Sequence, residues 1–112
     1  MTSDRDSLLD LRDALRRFAA ERDWDQFHSP KNLAAALSVE AAELLEHYQW
    51  SETAAHPAGV REELADVLLY LIRLADKLEV DLAAAARDKI ALNARKYPVE
   101  KARGNPRKYD RL

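Results

Sequence analysis

Residues Leu33 to Trp50 read LAAALSVEAAELLEHYQW, and the period of this stretch decides the fold. It is built from alanine and leucine and holds no glycine or proline, so every position tolerates a helix well. Three glutamates, Glu40, Glu43 and Glu46, follow one another at steps of three. A helix turns about 100° per residue, so three steps return a side chain to within roughly 60° of its start. Glu40 and Glu43 therefore share a face, one turn apart, among Leu37, Val39, Leu44 and Leu45. Carboxylates set in so much aliphatic surface need a counter-charge. The remainder of the chain can be searched for it.

Composition narrows the search. The chain has 112 residues, 47% of them hydrophobic, with 2 Gly and 4 Pro, which fits a single all-α domain of long helices and few tight turns. The domain is small enough that a partner subunit would help its core. A net charge of −2 gives no electrostatic footprint for nucleic acid. With no cysteine, any metal has to be held by oxygen or imidazole. The opening MTSDRDSLLDLRD is too charged for a signal peptide, and no apolar run approaches a membrane span, so a cytoplasmic protein is expected.

Working outward from the glutamates, the pattern predicts helices over about 4–22, 31–51, 60–78 and 82–97, with a polar tail over 98–112. Ser3 is the expected cap of the first helix, with Asp6 three residues on, and Leu8, Leu11, Leu15 and Phe18 mark its buried stripe. The aperiodic stretch from Asp23 to Asn32 reads as a loop closed by Ser29 as cap and Pro30 in the first helical position. Its Trp24, Phe27 and His28 either pack the bundle's end or wall a pocket for a flat ligand; locally, packing is the simpler reading. Downstream, Pro57 and Gly59 punctuate a linker. The third helix carries a wide apolar stripe from Leu64 to Ala75, and within it Glu63 and Asp66 repeat the three-residue acidic step. Asp81 caps the fourth helix, on which Lys89, Asn93 and Lys96 share a face. The tail reads as extended, ordered by docking on a neighbour or ligand.

Two helices joined by a short connection pack antiparallel, which lets the two acidic pairs converge. Two like charges about 5 Å apart repel by roughly 3 kcal/mol at an effective dielectric near 20. A divalent cation reverses that sign, and oxygen-only ligands suit Mg²⁺, with Mn²⁺ as a substitute. A lone ExxE on a charged helix is ordinarily a solvated face. Two such pairs inside aliphatic runs favour a metal held by Glu40, Glu43, Glu63 and Asp66, with Glu46 and Glu62 left to solvent or salt bridges. A di-iron bundle would need Glu-x-x-His, and no histidine follows any of these glutamates by three; His47 reads as a surface or interface residue. Lys89, Asn93 and Lys96 could meet the phosphate oxygens that the metal leaves uncovered. Tyr70, one turn beyond Asp66, could reach the same cleft.

These segments resemble a known family. Trp24-Asp-Gln-Phe-His28-Ser-Pro30, Leu37-Ser-Val-Glu40-Ala-Ala-Glu43, Gln49-Trp50, Glu62-Glu63-Leu-Ala-Asp66-Val-Leu-Leu-Tyr70, Lys89-Ile-Ala-Leu-Asn93-Ala-Arg-Lys96-Tyr97-Pro98 and Arg107-Lys108-Tyr109 are similar to those of the MazG-like all-α nucleoside triphosphate pyrophosphohydrolases, above all the dCTP pyrophosphatase branch. The resemblance spans about Trp24 to Tyr109 and shows no departure at a metal-ligand position. It implies a four-helix bundle that forms a homo-oligomer, a dimer or a tetramer, and hydrolyses a nucleoside triphosphate to the monophosphate and pyrophosphate with Mg²⁺. It implies Glu40, Glu43, Glu63 and Asp66 as ligands; among them Glu43, with Glu40, is expected to be the catalytic carboxylate that takes the proton of the attacking water. Lys89, Asn93, Lys96, Arg107 and Lys108 would hold phosphates. Trp24, His28, Trp50 and Tyr70 would line the base and sugar pocket, which overturns the packing reading of the loop. A helical interaction module or a nucleotide sensor without turnover would keep the same bundle; neither needs four inward carboxylates.

Overall fold

The first helix starts at the carboxylate of Asp6, which accepts from the Leu8 amide at 2.8 Å, and α1 runs over Ser7–Glu21. Ser3, the expected cap, lies outside residues 6–112, the part of the chain that this computed structural model describes. A carboxylate suits the post as well as a hydroxyl does, because it faces the positive end of the helix dipole. Ser29 accepts from the Asn32 amide at 3.1 Å, and α2 spans Pro30–Glu46. α3 covers Pro57–Lys77. Asp81 accepts from the Ala84 amide at 3.0 Å to open α4, Leu82–Lys96. The fold is all-α, with no strand among the described residues.

Two boundaries and the tail depart from expectation. α2 stops at Glu46 rather than Ser51, because His47, Tyr48 and Gln49 tighten into successive i→i−3 bonds as the alanine–leucine period gives out. α3 begins at Pro57 rather than Val60, since proline lacks only an amide that the first turn would leave unpaired anyway. The tail is not extended. It forms α5 at Val99–Ala102 and a 3₁₀ turn at Tyr109–Arg111, and it folds back so that Tyr109 meets Tyr97 edge-on at 6.3 Å. Lys96 stands 4.9 Å above the Tyr109 ring.

The chain resolves into two compact units, one ending at Val80 and one running from Asp81 to Leu112. In the first, α3 packs against both α1 and α2. Ala19 from α1, Leu33 from α2 and Ile72 and Ala75 from α3 form its buried apolar centre. α2 and α3 run antiparallel: His47 lies beside Gly59, Glu43 beside Glu63, and Glu40 within reach of the Asp66 charge. Gly59 matters for the closeness of this pair. A Cβ there would stand 2.7 Å from Cε1 of His47.

α1 and α3 end in the same way. Asp23 (φ 53°) and Glu79 (φ 56°) adopt the left-handed conformation, and the next amide reaches back five residues, Trp24 to the Ala19 carbonyl and Val80 to the Ala75 carbonyl, each at 2.9 Å. This reverses the chain sharply and sets Trp24 against Phe18, edge-on at 5.6 Å.

Candidate active site

The antiparallel pairing of α2 and α3 brings Glu40, Glu43 and Glu63 together, with one carboxylate oxygen from each lying within 4.8 Å of the others. Oε2 of Glu40 and Oε2 of Glu63 are buried and have no hydrogen-bond partner. No lysine or arginine forms an ion pair with the three among the described residues. Such an arrangement is costly as it stands, because buried polar atoms are normally satisfied and like charges are not normally gathered.

The protons respond accordingly. Glu40 is pushed up from the ordinary glutamate range, first by the adjoining carboxyl of Glu63, then by burial and by the charges of Asp66 and Glu63. Glu43 is pushed up by the neighbouring Glu40 carboxyl and its charge, with burial and Glu46 adding to the effect. Orphaned oxygens, a hard all-oxygen donor set and no internal counter-ion fit a divalent cation such as Mg²⁺. Asp66 acts on Glu40 through its charge, but it is more exposed than the other three and also lines a second feature.

That feature is a cleft of about 420 Å³ in the first unit. Leu15 and Phe18 of α1 form its apolar side, while Trp24, His28 and Tyr70 line it together with Asp66. Three of the four expected pocket residues thus share one hollow with Asp66, which lies outside the group of three carboxylates and acts on Glu40 through its charge. Trp50 does not line it. It is 89% exposed, carried off by the turn that ends α2 early. Lys89, Asn93 and Lys96 lie on α4 and Arg107 and Lys108 on the tail, all in the second unit. Lys89, Asn93, Arg107 and Lys108 are exposed, and Lys96 is partly covered beside Tyr109.

The sequence reading missed Arg73. Its side chain is buried at 6% exposure, paired with Asp25 and with Asp76, the latter at 3.3 Å, and it donates to Nδ1 of His28 at 3.1 Å. Arg16 of α1 clamps Asp76 from the other side, with its Nε 2.8 Å from Oδ2, and Lys77 joins Arg73 on Asp25. These contacts tie α1, the loop and α3 into one network. The available signal was a single cation inside the apolar stripe of α3, followed three residues later by an acid.

A cluster of carboxylates on antiparallel helices, with an aromatic cleft in the same unit, defines an all-α protein with a candidate cation site. The chain belongs to the MazG-like family, whose family model matches residues 35–112. It is 45% identical over 116 residues to dCTP pyrophosphatase 1 of Homo sapiens, covering 95% of this chain and 68% of that protein. The Mus musculus protein of the same name is 45% identical over 115 residues, with the same coverage. Among solved structures, a pyrophosphatase from Archaeoglobus fulgidus superposes with a TM-score of 0.78 at 39% identity, covering 88% of this chain and 98% of its own.

Proposed function

We propose that the protein is a nucleoside triphosphate pyrophosphohydrolase that converts dCTP, or a modified dCTP, to the monophosphate and pyrophosphate. The observation that carries this reading is the cluster of Glu40, Glu43 and Glu63, with two buried oxygens lacking a partner, together with an aromatic cleft lined by Asp66, whose charge acts on Glu40. Its membership of the MazG-like family and its similarity to two mammalian dCTP pyrophosphatases support the same chemistry.

Glu40, Glu43, Glu63 and Asp66 would hold Mg²⁺. The chemistry the cation supplies there is neutralisation of phosphate charge and acidification of a coordinated water. The chain's own residues do the rest. Trp24, His28 and Tyr70 hold the nucleoside in the cleft, with Trp50 reserved for a closed or assembled state. Lys89, Asn93, Lys96, Arg107 and Lys108 bind the phosphates. Glu43 takes the proton of the attacking water as the α–β bridge breaks and pyrophosphate leaves. The working form is a homo-oligomer, and the role is to clear surplus or non-standard nucleotides from the cytoplasmic pool.

The test is pyrophosphate release from a panel of ribo- and deoxynucleoside triphosphates, with and without Mg²⁺. Release from dCTP that stops on chelation is expected. No release from any nucleotide at any Mg²⁺ concentration would overturn the reading.

A further inference from the structure

Arg73 is the buried charge that the chemistry above does not use. A guanidinium has five donors and no acceptor. Its two terminal nitrogens go to Asp25 and Asp76. The third direction, Nε, is aimed not at another carboxylate but at Nδ1 of His28, at 3.1 Å. A donor there requires Nδ1 to be an acceptor, so a neutral ring carries its proton on Nε2. Nε2 has no hydrogen-bond partner within the protein among the described residues, and His28 and Arg73 both line the cleft with Trp24 and Tyr70. The charged ring is disfavoured at this place. Burial lowers its proton affinity first, and the positive charges of Arg73 and Lys77 act the same way against the opposing charge of Asp25.

We propose that Arg73 is a positioning residue that acts through His28, holding the imidazole as its Nε2–H form so that it offers a neutral hydrogen-bond donor to an acceptor atom of the nucleobase. The nucleobase half of this rests on reading the cleft as the nucleoside end of the site. A neutral donor in an apolar cleft suits a carbonyl or ring nitrogen, whereas a phosphate would be met better by a cation. The device therefore contributes to selecting the base, not to gripping the triphosphate.

Two measurements on the full-length protein test the two halves. Long-range ¹H–¹⁵N spectra without nucleotide read the His28 nitrogens directly. In the wild type, Nδ1 is expected at an unprotonated position and Nε2 at a protonated one. In Arg73→Lys, which keeps the positive charge between Asp25 and Asp76 but loses the planar Nε donor, both should move toward exchange-averaged values. A protonated Nδ1 in the wild type, or spectra unchanged by the substitution, overturns the first half.

Kinetics with dCTP test the second half. Arg73→Lys and His28→Phe should each raise KM about tenfold, the scale of one well-made hydrogen bond. The Arg73→Lys effect should vanish in the His28→Phe background. Full additivity of the two, or an unchanged KM in His28→Phe, overturns the assignment. His28→Phe leaves the ion pairs of Arg73 in place, so it decides this half even where Arg73→Lys does not fold. A wild type inactive on every nucleotide overturns the functional reading and with it the nucleobase half, while the spectra still decide the Arg73–His28 half.

Discussion

At Glu40 a buried carboxylate oxygen has no donor, and two further carboxylates crowd it. Removing one charge relieves that repulsion while discarding a proposed ligand. Glu40→Gln is therefore expected to raise the melting temperature of the metal-free protein by a few degrees, to abolish the further rise on adding Mg²⁺, and to abolish turnover. Melting curves in EDTA and in Mg²⁺ check this, and a lower melting temperature in EDTA would contradict it. Proton linkage gives a second test with two opposite signs. Glu40 and Glu43 are raised above 4.5, so their contribution is fully present below that value and is lost as pH rises through their folded values. Asp76 is lowered from 3.8, chiefly by its hydrogen bonds from Arg16, so its contribution is present above 3.8 and is lost as pH falls through its lower folded value. Melting temperatures of metal-free protein should therefore fall toward strong acid. The Asp76→Asn variant should lose part of that acid dependence. Mg²⁺ should remove the decline above 4.5. At this scale the acidic pairs were legible because carboxylates stand out in an aliphatic run. Arg73 was not, because a lone arginine in a helix ordinarily lies on a solvated face, and only the fold shows Asp25 reaching it from a loop 48 residues away.

Between α2 and α3, the close approach at Gly59 sets two effects against each other. Alanine is about 1 kcal/mol better than glycine inside a helix, but here its methyl would press on the His47 ring at 2.7 Å. Gly59→Ala alone is expected to be neutral or destabilising, and in a His47→Ala background it should stabilise by about 1 kcal/mol. Urea unfolding of the four proteins measures the cycle, and equal effects in both backgrounds would rule out the contact. Ser29→Ala should cost about 1 kcal/mol by removing the cap of the helix that carries Glu40 and Glu43. The caps at Ser29 and Asp81 could be read from sequence because their chemistry is local. The early end of α2 could not, because His47, Tyr48 and Gln49 do not break a helix as proline or glycine would, and their tightening into i→i−3 bonds shows only in the fold. The folded tail escaped for a related reason. Its order comes from Tyr97 and Tyr109, twelve residues apart, and no local period reports that contact.

At the scale of the whole molecule, few large side chains among the described residues are enclosed, and Leu33 is the largest of them that is fully buried. Leu45 is 68% exposed and Leu64 55%, and Leu68, one turn on from Leu64, is exposed as well. The proposed homo-oligomer would cover such a stripe on α3. Leu64→Glu combined with Leu68→Glu should lower the mass seen by light scattering to that of the monomer and remove any dependence of melting temperature on protein concentration. Wild-type protein that is monomeric at every concentration would refute the assembly. The reversals at Asp23 and Glu79 have a consequence of another kind. Left-handed backbone disfavours a side chain by roughly 1 kcal/mol, and a chain with 2 Gly has placed neither of them at these two corners. The scaffold thus retains unused headroom for heat tolerance, open to a single exchange such as Glu79→Gly at the far end of α3 from Glu63.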